Sequence, residues 1–375
     1  ALAQLGMDAI VQDAGLNAEA EARAQTALGP TSMGWNREQL FGPAGADEDT
    51  VQLTQSLELS GRAGQRALAL RATGAAARHA AEAVRHTHTA HLRTTFHKAR
   101  FARERTEVFE SWRAQLADAE GRVSARVRAG AAPAWASQHS HHELARGEII
   151  VAQGSAERDG LVAELLSLLA WPEGAEAPRL IAPDMPQLME GGVDAYTSRL
   201  NEHPTTLMYT ARARSGDLRR AAGRRAWVPD LEVSLGFKTA AQAATRELGY
   251  TAGAQLSLPL GGDRSGDEGV GLAQRTRATH DLRLWTHHQE ARVRRAYIRA
   301  ERLIAVAQKA EAHLSHGHEK LLAAAKHAYD GGELDLGGLL EAHADARDDR
   351  LQALELRGQA WLAVIELDHL VGHTP

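Results

Sequence analysis

Two stretches of this chain, Arg62 to Arg128 and Arg264 to Asp330, each run roughly 67 residues without a proline. If fully helical, each would extend on the order of 100 Å. A typical globular helix has about 11 residues. Helices this long belong to coiled coils and helical arrays rather than to thick globular cores. The composition agrees, because aromatics make up only 5% of the chain against 43% hydrophobic residues, among which Ala is the commonest. Ala favours helix and lets two helices approach closely.

The two stretches belong to an internal repeat. Gln55-Ser56-Leu57-Glu58-Leu59-Ser60-Gly61 resembles Leu256-Ser257-Leu258-Pro259-Leu260-Gly261-Gly262. About 70 residues beyond each lies a turn signal, Arg128-Ala129-Gly130-Ala131-Ala132-Pro133-Ala134 and Asp330-Gly331-Gly332-Glu333-Leu334-Asp335-Leu336. Gly130 and Gly332 suit the left-handed end of a helix, Pro133 the start of the next, and Asp335 an N-cap. Both turns are therefore expected as tips of antiparallel helical hairpins. Residues 1–190 form the first repeat, with its tip near 129–133, and 191–375 the second, with its tip near 330–335. The expected hairpin seams are Tyr297, Ala300, Ile304, Ala307, Leu314, Leu321 and Ala325 in one case and Leu144, Val151, Val162, Leu165 and Leu169 in the other.

Alternation predicts strands near 31–41, 50–59, 230–238 and 251–260. Val51, Leu53, Leu57 and Leu59 share a face, as do Leu231, Val233, Leu235 and Phe237, and Ala252, Ala254, Leu256, Leu258 and Leu260. In the first strand Met33, Trp35 and Phe41 align, but Arg37 and Gln39 interrupt them. Segments of this length can cross a bilayer as tilted strands. Four strands are too few to close a barrel alone, and open edges are not tolerated in lipid. The strands either form an ordinary half-buried hairpin sheet or are pooled by several chains.

Other readings find little support. With no cysteine, there is no disulfide, thiolate metal site or Cys nucleophile. A formal net charge of -5 with mixed signs gives no nucleic-acid footprint. No stretch approaches a transmembrane helix. The Ala-Leu-Ala start reads as processed or trimmed. His142-Glu143-Leu144-Ala145-Arg146 lacks the second His of a zinc-protease helix, and Gly261-Gly262-Asp263-Arg264-Ser265-Gly266 lacks the end of a phosphate loop. The 19 histidines include clusters at His139, His141 and His142, at His313, His316 and His318, and at His79, His86, His88 and His91. Solvated helix surface accounts for these better than a metal centre does. No catalytic residue, metal site or cofactor is expected.

Several motifs together resemble the TolC-like outer membrane efflux proteins over nearly the whole chain. Leu16-Asn17-Ala18-Glu19-Ala20 looks like the family's entry helix, with Ala18 where a proline is usual. Thr54 to Arg62 is similar to the strand-to-helix junction of the heavy-metal branch. Arg126 to Gly130 resembles the first hairpin tip, and His203-Pro204 the start of the second repeat. Trp227-Val228-Pro229-Asp230-Leu231 resembles the entry to the third strand, and Leu256 to Leu260 the exit from the fourth. Tyr329 to Leu336, followed by Leu339-Leu340-Glu341-Ala342, is the nearest match.

The resemblance implies a mainly α fold with a small β part, built from two repeats of strand, long helix, tip and long helix. It implies a homotrimer, with a helical barrel in the periplasm and a twelve-stranded β-barrel in the outer membrane, four strands per protomer. The implied function is not enzymatic. The chain would be a passive exit duct for substrates, first of all metal cations, delivered by an inner-membrane RND-type pump through a periplasmic adaptor protein. Drug efflux, type I secretion and a soluble coiled-coil interaction protein are the alternatives. By position, Asp330, Glu333 and Asp335 would surround the periplasmic aperture, or else act only as turn and cap residues. Arg128, Gly130, Trp135 and Gly332 would meet the adaptor, unless Trp135 packs within its own hairpin.

Overall fold

The computed structural model describes residues 13, 15–39, 46–172, 174–175, 178–181, 184–242, 245–257, 266–314 and 318–373. In chain order the elements are α1 (Leu16–Ala24), β1 (Leu28–Gln39), β2 (Ala46–Leu57), α2 (Arg62–Arg128), α3 (Ala134–Leu168), α4 (Gly192–Ser198), a 3-10 turn (Arg199–Asn201), α5 (Pro204–Arg224), β3 (Asp230–Gln242), β4 (Thr245–Ser257), α6 (Gly266–Leu314), α7 (His318–Asp330) and α8 (Leu336–Leu370). The long helix α2 matches its predicted span. The second predicted long helix appears as α6 and α7, and residues 315–317 between them lie outside the described residues. The chain divides into two compact units. The helical unit contains described residues 83–203 and 287–373, and the sheet unit those of 13–82 and 204–286.

In the helical unit, large side chains of α2 enter gaps left by small residues of α3. The buried positions of α3 include Ser140, Gly147 and Gly154, at steps of seven. A Cβ on Gly147 would lie 3.2 Å from Leu116 Cδ1, and one on Gly154 would lie 3.1 Å from Phe109 Cδ2. Phe109, Leu116 and the fully buried Val123 also step by seven, in the opposite direction. This is heptad packing with glycine and serine as the holes. Of the five apolar residues expected to form the α3 seam, only Leu165 is buried; Leu144, Val151, Val162 and Leu169 are half-exposed. The correction has a simple cause: an apolar count overlooks glycine, which contributes here through its missing side chain. Along the expected α6–α7 seam, Ala300, Ala307 and Ala325 are buried and Leu321 is exposed.

The sheet unit uses the same device more severely. A Cβ on Gly216 of α5 would sit 2.6 Å from the Arg275 backbone nitrogen of α6. A Cβ on Gly223 would sit 2.3 Å from the Glu268 nitrogen, and one on Gly271 would sit 2.4 Å from the Arg220 nitrogen. The helix backbones touch, and only glycine permits it.

The four strands form one antiparallel sheet in the order β1-β2-β3-β4. β2, β3 and β4 run past the alternation limits toward the hairpin turns, where the side-chain pattern fades, while β1 begins earlier, at Leu28, and β2 ends at Leu57, short of Leu59. Thus β3 pairs with β4 from Asp230↔Ser257 to Gln242↔Thr245. Phe41 and Leu258 to Leu260 lie outside the described residues.

The two glycine environments predict opposite outcomes for the same substitution. Gly216→Ala should lower the melting temperature, at a cost of roughly 1–3 kcal/mol from overpacking against immovable backbone. Gly121→Ala, whose Cβ meets nothing within 4 Å, should raise stability by about 0.5–1 kcal/mol through helix propensity. Thermal unfolding followed by far-ultraviolet circular dichroism separates the two.

Candidate functional site

Two surfaces hold the residues that the sequence marks, the paired hairpin tips of the helical unit and the faces of the sheet.

Both tips use the same turn. At the first, Gly130 has φ +71°, and the Ala131 N–H donates to the Arg126 carbonyl at 2.8 Å. At the second, Gly332 has φ +79°, and the Glu333 N–H donates to the Ala328 carbonyl at 2.8 Å. Each is a left-handed glycine closing a helix, followed by a donor that reaches back one and a half turns. Asp335 then caps α8 by accepting from the Gly338 N–H at 2.8 Å. The tips share an apolar core of Ala119, Val123, Ala136, Ala325, Tyr329, Leu336 and Leu339.

Polar links join the first hairpin to the second across this core. Arg122 donates to both oxygens of Asp330, at 3.2 and 2.8 Å. Arg122 also holds Asp118 at 3.2 Å, and Lys326 reaches the same Asp118 oxygen at 3.2 Å. Burial pushes the Asp118 carboxyl up, but Lys326 and Arg122 outweigh it and hold the group below the usual range. Arg126 donates to the Tyr329 carbonyl at 2.9 Å and lies 4.9 Å over the Tyr329 ring.

The three acidic residues singled out in the sequence therefore differ. Asp330 is ion-paired to Arg122, and Asp335 is a helix cap. Glu333 is exposed at the turn, and no ion pair involves it among the described residues. Arg128, Gly130 and Gly332 are exposed at their tips. Trp135 does not pack into its hairpin; it is 62% exposed, with His139 6.0 Å away between ring centroids.

None of the clustered histidines with a described side chain is fully buried. His139, His141, His142, His91 and His313 are exposed, His79, His86 and His88 are half-buried, and His316 and the side chain of His318 lie outside the described residues. The buried ones are isolated in sequence, namely His97, His203 and His343. His97 stacks on Trp361 with ring centroids 4.5 Å apart. Burial, reinforced by Arg93 and Arg100, lowers its pKa to about 4. His343 Nδ1 lies 3.0 Å from Gln115 Oε1, beneath the tips. A lone histidine on an apolar helix face carries no sequence mark beyond its position on that face. Among the described residues no three His, Asp or Glu side chains converge as a metal site would require.

The sheet sorts its side chains by face. Directly opposed residues in an antiparallel sheet point the same way. The register gives the rows Met33–Leu53–Leu235–Ala252 and Leu57–Leu231–Leu256, and between them on the same face Thr31–Gln55–Val233–Ala254, where Thr31 and Gln55 hydrogen-bond to each other. A further row, Trp35–Val51–Phe237–Tyr250, sets three aromatics at one level, each at least 67% exposed. Beyond it Arg37 pairs with Asp47 at 3.1 Å and approaches Asp49 at 4.0 Å, so the residue that interrupts the apolar pattern lies past the aromatic level. The other face carries Ser32, Thr54, Ser234 and Gly253 in one row and Gly34, Gln52, Gly236 and Thr251 in the next. β1 and β4 are the edge strands.

The strand-to-helix junction joins motifs far apart in sequence. Ser60 Oγ accepts from the Arg62 N–H at 3.1 Å, and Glu58 accepts from the Ala63 N–H at 2.6 Å, which together cap α2. Arg62 pairs with Glu58 at 3.3 Å and with Asp230 at the start of β3.

No protein-family model matches the chain, and no curated protein sequence matches it. Solved structures do. A membrane protein from Pseudomonas aeruginosa superposes with a TM-score of 0.77 at 18% identity, covering 98% of this chain and 87% of that one. The Campylobacter jejuni CmeC outer membrane channel gives 0.75 at 12% identity, covering 99% and 82%. CusC, described as forming a transmembrane channel, gives 0.73 at 16% identity, covering 100% and 88%. The fold is thus the one seen in TolC-like outer-membrane channels, mainly α with a four-stranded antiparallel part.

The buried histidines make stability depend on pH. The His97 pKa is lowered from an ordinary 6.5 to about 4, so the unfolded chain binds its proton first as pH falls. Stability should be flat above about pH 6.5 and decline toward pH 4, by up to roughly 3 kcal/mol from this group. In His97→Phe, which keeps a flat ring against Trp361, the difference in melting temperature between pH 7 and pH 5 should shrink. An unchanged difference would show that His97 titrates normally.

Proposed function

We propose that this chain is the outer-membrane channel of a tripartite efflux system, a passive duct that performs no chemistry of its own. The observation that carries this reading is the sheet, which has one exposed apolar face with an aromatic row, one polar face and two edge strands. An apolar face of roughly 20 Å of strand suits a bilayer, and the polar face suits a wet lumen. Edges left open in lipid are costly, so three copies would pool their strands into a closed barrel of twelve. The helical part would then lie in the periplasm. The shared turn at Gly130 and Gly332 supports reading residues 1–190 and 191–375 as structural repeats.

The tips fit the remaining roles. Trp135, with Arg128 and Gly130 beside it, offers an exposed aromatic surface for the helical hairpin of a periplasmic adaptor, and Gly332 lies at the second tip. Glu333 is the acid best suited to become a ring at the aperture under three-fold symmetry. Asp330 and Asp335 also sit there, one neutralised by Arg122 and the other engaged as a cap. The links from Arg122 and Arg126 would hold the second tip against the first and so keep the mouth narrow. An inner-membrane RND-type pump would supply the energy. Metal cations are the proposed cargo, on the resemblance of Leu59-Ser60-Gly61-Arg62 and Gly332-Glu333-Leu334-Asp335-Leu336 to the heavy-metal branch.

Light scattering of the purified protein, with detergent mass subtracted, should give three chains per particle. A monomer stable without detergent would refute the channel and favour a soluble coiled-coil protein. In planar bilayers Glu333→Gln should weaken cation preference more than Asp330→Asn or Asp335→Asn. Arg122→Ala combined with Arg126→Ala should raise single-channel conductance. If all these variants conduct like the parent, neither the ring nor the latch is right.

A further inference from the structure

On its helical side the sheet unit carries an arginine-rich band that starts at the strand ends and extends about 25 Å along the helices. Residues 58–82, 204–230 and 266–286 contain 13 arginines, 7 acidic residues and no lysine. Part of the band lines an open cavity of about 650 Å³ between α1's end, α2, α5 and α6, with Arg66, Arg212, Arg219 and Arg277 against Asp267 and Asp281.

The carboxylates do not balance these cations. Asp267 alone serves both Arg66 at 3.0 Å and Arg219 at 3.5 Å. Burial pushes its pKa up, but the two guanidiniums hold it below the usual range. Arg277 reaches Asp281 only at 3.9 Å. Arg212 contacts the Tyr209 ring at 5.8 Å and no carboxylate among the described residues. Arg71, Arg214 and Arg283 are likewise exposed, with no ion pair among the described residues. Between this band and the apolar rows of the sheet stand two exposed side chains, Leu59 at 58% and Trp227 at 69%. Arg225 lies two residues before Trp227 and binds the Gly61 carbonyl at 3.3 Å through one nitrogen. From the strands to the helices the order is therefore aliphatic, then indole, then guanidinium.

We propose that this band binds the phosphate headgroups of anionic phospholipid in the leaflet at the helical end of the sheet, with the cavity as the principal headgroup site. This rests on the membrane reading of the sheet. The layering matches that of an interface, with hydrocarbon against aliphatic side chains, the ester region against tryptophan, and phosphate against fixed cations. Arginine rather than lysine is the apt cation, because its planar fork takes phosphate oxygens two at a time. The cavity is large enough for a headgroup and open enough for acyl chains to leave it.

The test uses the full chain in phosphatidylcholine nanodiscs with increasing phosphatidylglycerol. Retained lipid is counted by native mass spectrometry after transfer to detergent. The parent should keep phosphatidylglycerol in preference to phosphatidylcholine, and millimolar inorganic phosphate should not displace it. Arg212→Gln/Arg225→Gln/Arg277→Gln should lose the preference, on the order of fivefold per arginine. Arg294→Gln/Arg302→Gln, in the helical unit, should keep it. Equal retention by the parent and the triple variant would overturn the proposal while leaving the channel intact. Displacement by phosphate alone would also overturn it, in favour of a free-anion site. Failure to enter nanodiscs at all would refute the membrane reading beneath it.

Discussion

Long helices with few aromatics can be held together only by close approach, and close approach needs side chains that are nearly absent. That constraint organises both units. Between α2 and α3 it is met by Gly147 and Gly154 facing Leu116 and Phe109, with Ser140 buried one heptad further along. Between α5 and α6 it is met by Gly216, Gly223 and Gly271, where backbone lies against backbone. Dispersion falls off within an ångström of contact, so a gap the size of a methyl group would forfeit much of the attraction. Gly in a helix costs up to about 1 kcal/mol in propensity, a cost recovered here through packing.

Once the helices are locked in register, the polar links become geometric consequences. Arg122 meets Asp330, and Arg126 meets the Tyr329 carbonyl, because the shared core around Val123, Tyr329 and Leu339 fixes both hairpins at their ends. Such exposed ion pairs contribute little stability individually. What they add is a polar bond between the two tips at the place where the core has already brought them together. A gate can be built from contacts of this kind because losing them does not cost the fold.

The sequence disclosed the elements whose signal is local. Proline-free runs marked α2, left-handed glycines marked both tips, and alternation marked the four strands. It disclosed less wherever the signal is an absence or a distant partner. Gly147 and Gly154 carry no apolar weight, so the apolar pattern points instead to larger residues nearby. The fully buried histidines are single ones, whereas the clustered ones with described side chains are exposed or half-buried. Among Asp330, Glu333 and Asp335 the spelling gives three acids at one turn. Only their partners, Arg122 across the interface and the Gly338 N–H within the next helix, separate them into a paired group, a free group and a cap.

The meeting of Arg62 with Asp230 shows why the two motif families belong together. Leu59-Ser60-Gly61-Arg62 ends one strand and begins a helix, and Pro229-Asp230 begins the strand paired to it. The sheet must pass from a medium with no hydrogen-bonding partners, on the membrane reading, to one full of them within a few residues. At that boundary every backbone donor needs a fixed acceptor, and Ser60 and Glu58 provide them for α2. Arg62 then ties that cap to the neighbouring strand, so the register of β2 on β3 and the start of the long helix are set together. A boundary built this way is where charge can be concentrated without being buried, and the excess arginine begins there.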